Sequence, residues 1–289
     1  MTKPKLLVYA NCQGDEIDGL VRRLPTMSGL FDYERIFLGS LHEFIDAHGE
    51  AGARDRLNDV VAVWEQSSQA SEQERVLIRD FVPRQARWLR FPALTCSTLW
   101  PFGVSDNRPC GYERYAYSDM LAMRVWRECG GSDGTIDSRS DEELFDRYMT
   151  LSSRMLPDLE RTLERDMLQW TQRDRDCDLP MADFLHANLR EQQLFYTVGR
   201  ASWVANGEMT RQLVAATAPT ESRDDILGEL AAASAGCLGN DTLSIPVHPM
   251  IIERLGLKWT NASAIWHWNS YDFDFRTWVL RCVRLVDCM

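Results

Sequence analysis

The chain has 289 residues, 45% of them hydrophobic and 26% charged, enough apolar material to bury a full core without requiring disorder. A formal net charge of -11 disfavours nucleic acid and anionic membrane surfaces as partners, because phosphates recruit cationic faces. The longest apolar runs, such as Leu6–Ala10, fall far short of the roughly 18 residues that span a bilayer.

Met1–Lys5 runs straight into a strand-like stretch without a secretory h-region, so a cytoplasmic protein with no membrane insertion is expected. The eight cysteines show no CxxC pair and no ligand-type spacing, which predicts thiols and no structural metal. Of the 32 basic residues only Lys3, Lys5 and Lys258 are lysine. Such a bias suits planar gripping of a small anion, and a genomic base composition rich in arginine codons explains it equally well.

In chain order, residues 5–10 read as a short apolar strand, followed by a helical face of Ile17, Leu20, Val21 and Leu24 with Pro25 as its stop. Tyr33–Leu38, Val60–Trp64 and Ala86–Phe91 are further strand-like runs, and Ser71-x-x-Glu74 is a capping box before Arg75–Ile78. Strands alternating with helices predict parallel pairing through right-handed crossovers.

The Gly-, Ser- and Asp-rich stretch at 129–138 is the candidate boundary. Beyond it a second capping box, Ser140-x-x-Glu143, opens a stripe of Phe145, Met149, Met155, Leu159, Leu163, Met167 and Trp170, which Pro157 divides into two helices. Residues 180–194 and 224–237 read as further helices. The expected architecture is α/β: a small parallel doubly wound sheet, SGNH- or Rossmann-like, over 1–128, with a mainly helical region over 139–289 packed on it as one continuous unit.

Open α/β sheets bind ligands at the carboxyl ends of their strands, and Asn11-Cys12-Gln13-Gly14 falls where the first strand hands over to the first helix. Unpaired N–H groups and the helix dipole there favour a thiolate and a developing oxyanion. Asn11 and Gln13 add amide donors, and Gly14 allows close backbone approach. The plainer alternative is an N-cap at Asn11 beside a small buried Cys12.

At this tetrapeptide the chain resembles the WcbI-like polysaccharide biosynthesis proteins, which open with a strand followed by Asn-Cys-Gln. Three more stretches are similar in the same order: Phe91-Pro92-Ala93-Leu94 with Trp100-Pro101, Ala182–Thr197, and Pro246-Val247-His248-Pro249 through Trp259. The resemblance implies coenzyme A or acetyl-CoA binding and acetyl transfer to a sugar hydroxyl. One segment departs from it: Val198-Gly199-Arg200-Ala201 stands where Asn-His-Pro-Thr is expected, which leaves a non-catalytic module binding coenzyme A or a nucleotide as an alternative.

An acyl acceptor requires a base near neutral pH, so the histidines are the candidates. His248, before Pro249, matches the family segment as base, with a structural cap as its plain reading. His186 follows Asp183 by one helical turn. His267, between Trp266 and Trp268, reads as part of an aromatic cluster.

Gly39 and Gln66 follow the second and third strands, a layout resembling SGNH hydrolases, in which oxyanion donors after those strands serve a nucleophile after the first. That analogy keeps an ester or thioester hydrolase open. Arg22, Arg23, Arg190, Arg200 and Lys258 are the candidate partners for the phosphates of coenzyme A. The expected partners are thus an acyl donor and a hydroxyl-bearing acceptor, and a homodimer is a further expectation.

Overall fold

The computed structural model describes residues 3–104, 108, 119–236 and 243–285, which group into two compact units interleaved along the chain. One unit comprises residues 1–94, 167–187 and 201–239; the other comprises 95–166, 188–200 and 240–289. Where a single cut between 128 and 139 is expected from sequence, the first unit ends at Leu94 and recruits two later segments.

The first unit is built on β1 (Lys5–Ala10), α1 (Cys12–Val21), α2 (Pro25–Leu30), β2 (Asp32–Phe37), α3 (Leu41–Leu57), β3 (Val60–Ser67), α4 (Gln69–Arg79) and β4 (Arg87–Pro92). The four strands are all parallel in the order β2-β1-β3-β4. The fold is therefore α/β with a doubly wound sheet, and every strand lies within a few residues of its expected position. Leu6 to Ala10 are all fully buried, as a central parallel strand covered on both faces requires.

Alternation assigns the two faces. Leu7 and Tyr9 pack with Leu41, Ala53 and Leu57 of α3 and Ile78 of α4 in one apolar cluster. Val8 and Ala10 approach α1 on the other face, and α1 in turn packs against the helix Trp203–Thr217. Right-handed crossovers demand this arrangement: the chain steps one way from β1 to β2 and the other way from β2 through β3 to β4. The reversal puts the switch point between β1 and β3, where an open sheet parts to leave a crevice at its carboxyl edge.

Pro25 does not end α1; it opens α2 as the first helical residue, a position where a missing N–H costs nothing. Ser71 lies in the first turn of α4 and not at its cap, since the helix begins at Gln69. The carboxylate of Glu74 is drawn to Tyr9, Gly39 and Leu41 instead.

The second unit holds the helices Met120–Glu128 and Asp141–Met155 and the helix Phe275–Arg284, which pack on one another. Ser140 caps Asp141–Met155 as expected, and the chain breaks at Pro157 before Leu159–Asp174. The buried stripe, however, runs through Leu144, Tyr148 and Leu151, one position out of phase with Phe145 and Met149. The predicted 180–194 helix stops at Asn188, because Phe195–Thr197 is a strand. The predicted 224–237 helix spans Arg223–Gly236, leaving Cys237, with Cys110 and Cys288, outside the described residues. No helix among the described residues is long and apolar enough to cross a membrane.

Gly14 sets the contact between α1 and β1. A Cβ there would lie 2.7 Å from the Ala10 Cβ and 3.3 Å from Val8 Cγ1. Gly14→Ala is expected to lower the unfolding free energy by about 1–3 kcal/mol through overpacking, checked by urea denaturation. An unchanged midpoint would show that the helix shifts outward freely.

Candidate active site

Asn11 leaves β1 in an extended conformation and caps α1, its Oδ1 accepting the backbone N–H of Gln13 at 2.9 Å. Cys12 is therefore the first helical residue, and its own N–H has no intrahelical acceptor. Its thiol is free and exposed.

The two amides expected to serve the sulfur are mostly engaged with the scaffold. Gln66, only 1% exposed at the end of β3, accepts the Asn11 N–H through Oε1 at 3.0 Å and donates from Nε2 to Gln13 Oε1 at 2.8 Å. Gln13 Oε1 also accepts the Leu94 N–H, just past β4, at 3.2 Å. One buried amide pair thus ties together the ends of β1, β3 and β4. Gln13 Nε2 is buried with no hydrogen-bond partner, a rare state that an acceptor from outside the protein would relieve.

Arg35, on β2 opposite Val8, is a site residue the sequence did not mark. Its Nη2 donates to the Asn11 carbonyl at 2.9 Å, and its Nη1 pairs with Asp15 at 2.5 Å. The guanidinium thus braces the turn that carries Cys12 and offsets the carboxylate one helical turn after it. Burial raises the Asp15 carboxyl above its ordinary range, and Arg35 pulls it back.

A second unmarked cluster lies behind Gln66. Glu65, 1% exposed, receives Arg75 at 2.7 Å, while Glu72 pairs with both Arg75 and Arg90. Arg90 also donates to Ser67 Oγ at 3.0 Å. An open cleft of about 490 Å³ lies beside the ends of β3 and β4, lined by Ser67, Ser68, Ala93 and Arg173 among others.

Gly39 follows β2 with a φ of 91°, but its N–H donates to Glu74 at 3.0 Å. The same carboxylate accepts the Tyr9 hydroxyl, and burial together with that bond pushes the Tyr9 phenol well up. Gly39 is thus held to the α4 carboxylate and does not offer its N–H to a ligand.

The remaining candidates fall in both units. Arg22 pairs with Asp18 at 2.7 Å and lies over the Tyr33 ring, beside the exposed Arg23. In the second unit Arg190 pairs with Glu160 and Lys258 with Glu191, although the Lys258 N–H does bond the Arg190 carbonyl. Arg200 is half-buried in a two-residue strand. Of the expected phosphate partners, Arg22, Arg190 and Lys258 thus already hold carboxylates.

His186 is exposed and makes no hydrogen bond to Asp183 among the described residues. His267 pairs with Asp272 across a hairpin whose Trp266 and Trp268 are buried. His248, only 4% exposed, belongs to the second unit and caps the helix Pro249–Leu255. Its Nδ1 accepts the Met250 N–H at 3.1 Å, which leaves Nε2 to carry the proton toward Ser152 Oγ at 2.9 Å. Both ring nitrogens are engaged, and burial pushes its pKa down to about 4, so this ring is a cap and not a poised base.

Two outcomes follow. Gln66→Leu strands the part-buried Asn11 N–H, removes the buried bond to Gln13 Oε1, and is expected to lower stability by about 2 kcal/mol, read from the denaturation midpoint. For His248, the folded pKa lies below the ordinary 6.5, so the unfolded state binds the proton first. Its contribution is complete above pH 6.5 and is lost as pH falls toward 4, by up to about 3 kcal/mol. The burial of Asp119, whose carboxyl is raised to about 6, works in the opposite direction. The test is therefore the difference in Tm between wild type and His248→Asn across pH 7 to 4: it should shrink with acid, and a constant difference would refute a neutral buried ring.

Residues 5–222 match the family described as "Polysaccharide biosynthesis enzyme WcbI". No curated protein matches the chain. Among solved structures, one of WcbI, called a novel polysaccharide biosynthesis enzyme and reported as native protein without a disulfide bond between coenzyme A and one of its cysteines, is similar to this fold. It superposes with a TM-score of 0.62 at 16% identity, covering 98% of this chain and 90% of that one. With three quarters of its length inside the family match and the Asn-Cys-Gln turn at the switch point of its sheet, the chain belongs to the WcbI family of polysaccharide biosynthesis enzymes.

Proposed function

We propose that the chain is a coenzyme A-dependent acyltransferase that moves an acetyl or similar acyl group onto a hydroxyl of a carbohydrate acceptor, with Cys12 as nucleophile. The observation that carries this reading is an exposed thiol at the first position of α1, on the β1/β3 switch point, followed in the chain by Gln13, whose Nε2 has no hydrogen-bond partner. The coenzyme A and cysteine reported for the WcbI structure add support for the donor.

The residues fit a thioester on chemical grounds. Cys12 Sγ, as thiolate, attacks the acyl carbonyl carbon, and the carbon–sulfur bond to the donor breaks, releasing its thiol after protonation. In this reading the oxyanion formed on the way draws on the Cys12 N–H, which has no intrahelical acceptor, and on Gln13 Nε2, which has no partner. The acceptor hydroxyl then attacks the carbonyl carbon of acyl-Cys12, its proton passing to water, and the carbon–sulfur bond to Cys12 breaks to return the sulfur to the thiolate. Arg35 and Gln66 hold the turn without touching the reacting atoms, Arg35 on the Asn11 carbonyl and Gln66 on the Asn11 N–H and on Gln13 Oε1. For the phosphates of the donor, Arg22 and Arg23, in the same unit as Cys12, are the proposed partners, with Asp18 as the competitor that a polyanion must displace from Arg22.

Intact-mass measurement after rapid mixing with acetyl-CoA tests this. One acetyl group is expected on the wild type, none on Cys12→Ala, and loss of the adduct upon adding a sugar acceptor. Loss at the same rate in water alone would favour a thioester hydrolase, and a tightly bound donor with no adduct and no turnover would overturn catalysis by Cys12.

A further inference from the structure

Within the second unit lies a cavity of about 640 Å³, inside the range of roughly 300–1,000 Å³ usual for small-molecule sites. Its walls are chiefly aromatic and aliphatic, including Trp100, Phe102, Tyr148, Phe275, Trp278 and Ile245.

The polar groups in those walls are already engaged. Asp119 accepts the N–H groups of Leu121 and Ala122 at 2.8 and 2.9 Å and the Tyr148 hydroxyl at 2.9 Å. His248 is held at both nitrogens. Ser97 Oγ donates to Asp166 at 2.8 Å, and Thr162 Oγ1 donates to the Asp158 carbonyl at 2.8 Å. A polyhydroxylated ligand would lose water here and find few replacements for it.

Two groups stand apart. Arg165 lines the cavity, is exposed, bonds Ser97 Oγ at 3.1 Å, and pairs with no carboxylate among the described residues. Trp278, 6% exposed, keeps its indole N–H buried without a partner. An apolar chamber with one unneutralised guanidinium suits an apolar body joined to an anionic head.

We propose that this cavity binds an amphipathic anion, its aliphatic body among the aromatic walls and its carboxylate or phosphate head on Arg165. The inference rests on the second unit alone and is independent of chemistry at Cys12.

Calorimetric titration of the full chain with decanoate, below its micelle-forming concentration, tests it alongside decyl phosphate, decanol and acetate. Decanoate or decyl phosphate is expected to bind, the tighter of the two naming the head, and Arg165→Gln should weaken binding tenfold or more. Val104→Trp, a substitution at an exposed lining position, should block binding without lowering Tm. The proposal is overturned if neither amphiphile binds, if decanol or acetate binds as well as decanoate, if Arg165→Gln leaves affinity unchanged, or if Val104→Trp binds normally.

Discussion

A single carbonyl oxygen, Oε1 of Gln13, gathers the carboxyl edge of the sheet. It accepts from Gln66 at the end of β3 and from the backbone just past β4, while Gln66 reaches back to the N–H of Asn11. Three strand ends, already paired in the parallel sheet, are thereby tied together around the turn bearing Cys12. Buried amides are costly unless matched, so the match specifies one arrangement of the loops. The exposed sulfur depends on that arrangement, since it gains its position from a turn whose every neighbour is restrained.

Charge reinforces the clasp from two sides. Arg35 grips the Asn11 carbonyl and Asp15, and Arg75 neutralises Glu65 directly before Gln66 in the chain. A carboxylate as buried as Glu65 is tolerable only with its partner in place, so the β3–α4 turn has little freedom to open. The carboxyl edge of the sheet is in this sense held by salt bridges as well as by strand pairing.

Much of the sheet is legible in the sequence because central parallel strands are continuous apolar runs, and the turn at Asn11–Gly14 is legible because strand ends are where such sheets do chemistry. The histidines illustrate the opposite case. His248 looks like a base beside Pro249, yet its partner Ser152 lies 96 residues away, and nothing local announces that both ring nitrogens are engaged. Arg35 and Glu65 are invisible for the same reason, as mid-strand charges whose partners come from other elements. The helix Trp203–Thr217 buries Asn206 and Thr210 alongside Met209 and Leu213, which blurs its period. In Asp141–Met155 the sequence offers two overlapping apolar stripes, and packing selects the one through Tyr148.

The late helices of the sheet unit also bear on how the protein is made. Trp64 of β3 donates its indole N–H to Thr217, and Glu229 receives both the N–H and the hydroxyl of Thr26. These contacts join positions more than 150 residues apart, so a ribosome that has released the four strands has still not supplied the cover for α1. The nascent sheet waits with one apolar side open until residue 217 and its successors emerge. Messages truncated ahead of that point encode a chain bearing the Asn-Cys-Gln turn but lacking the roof above it, a natural client for chaperones.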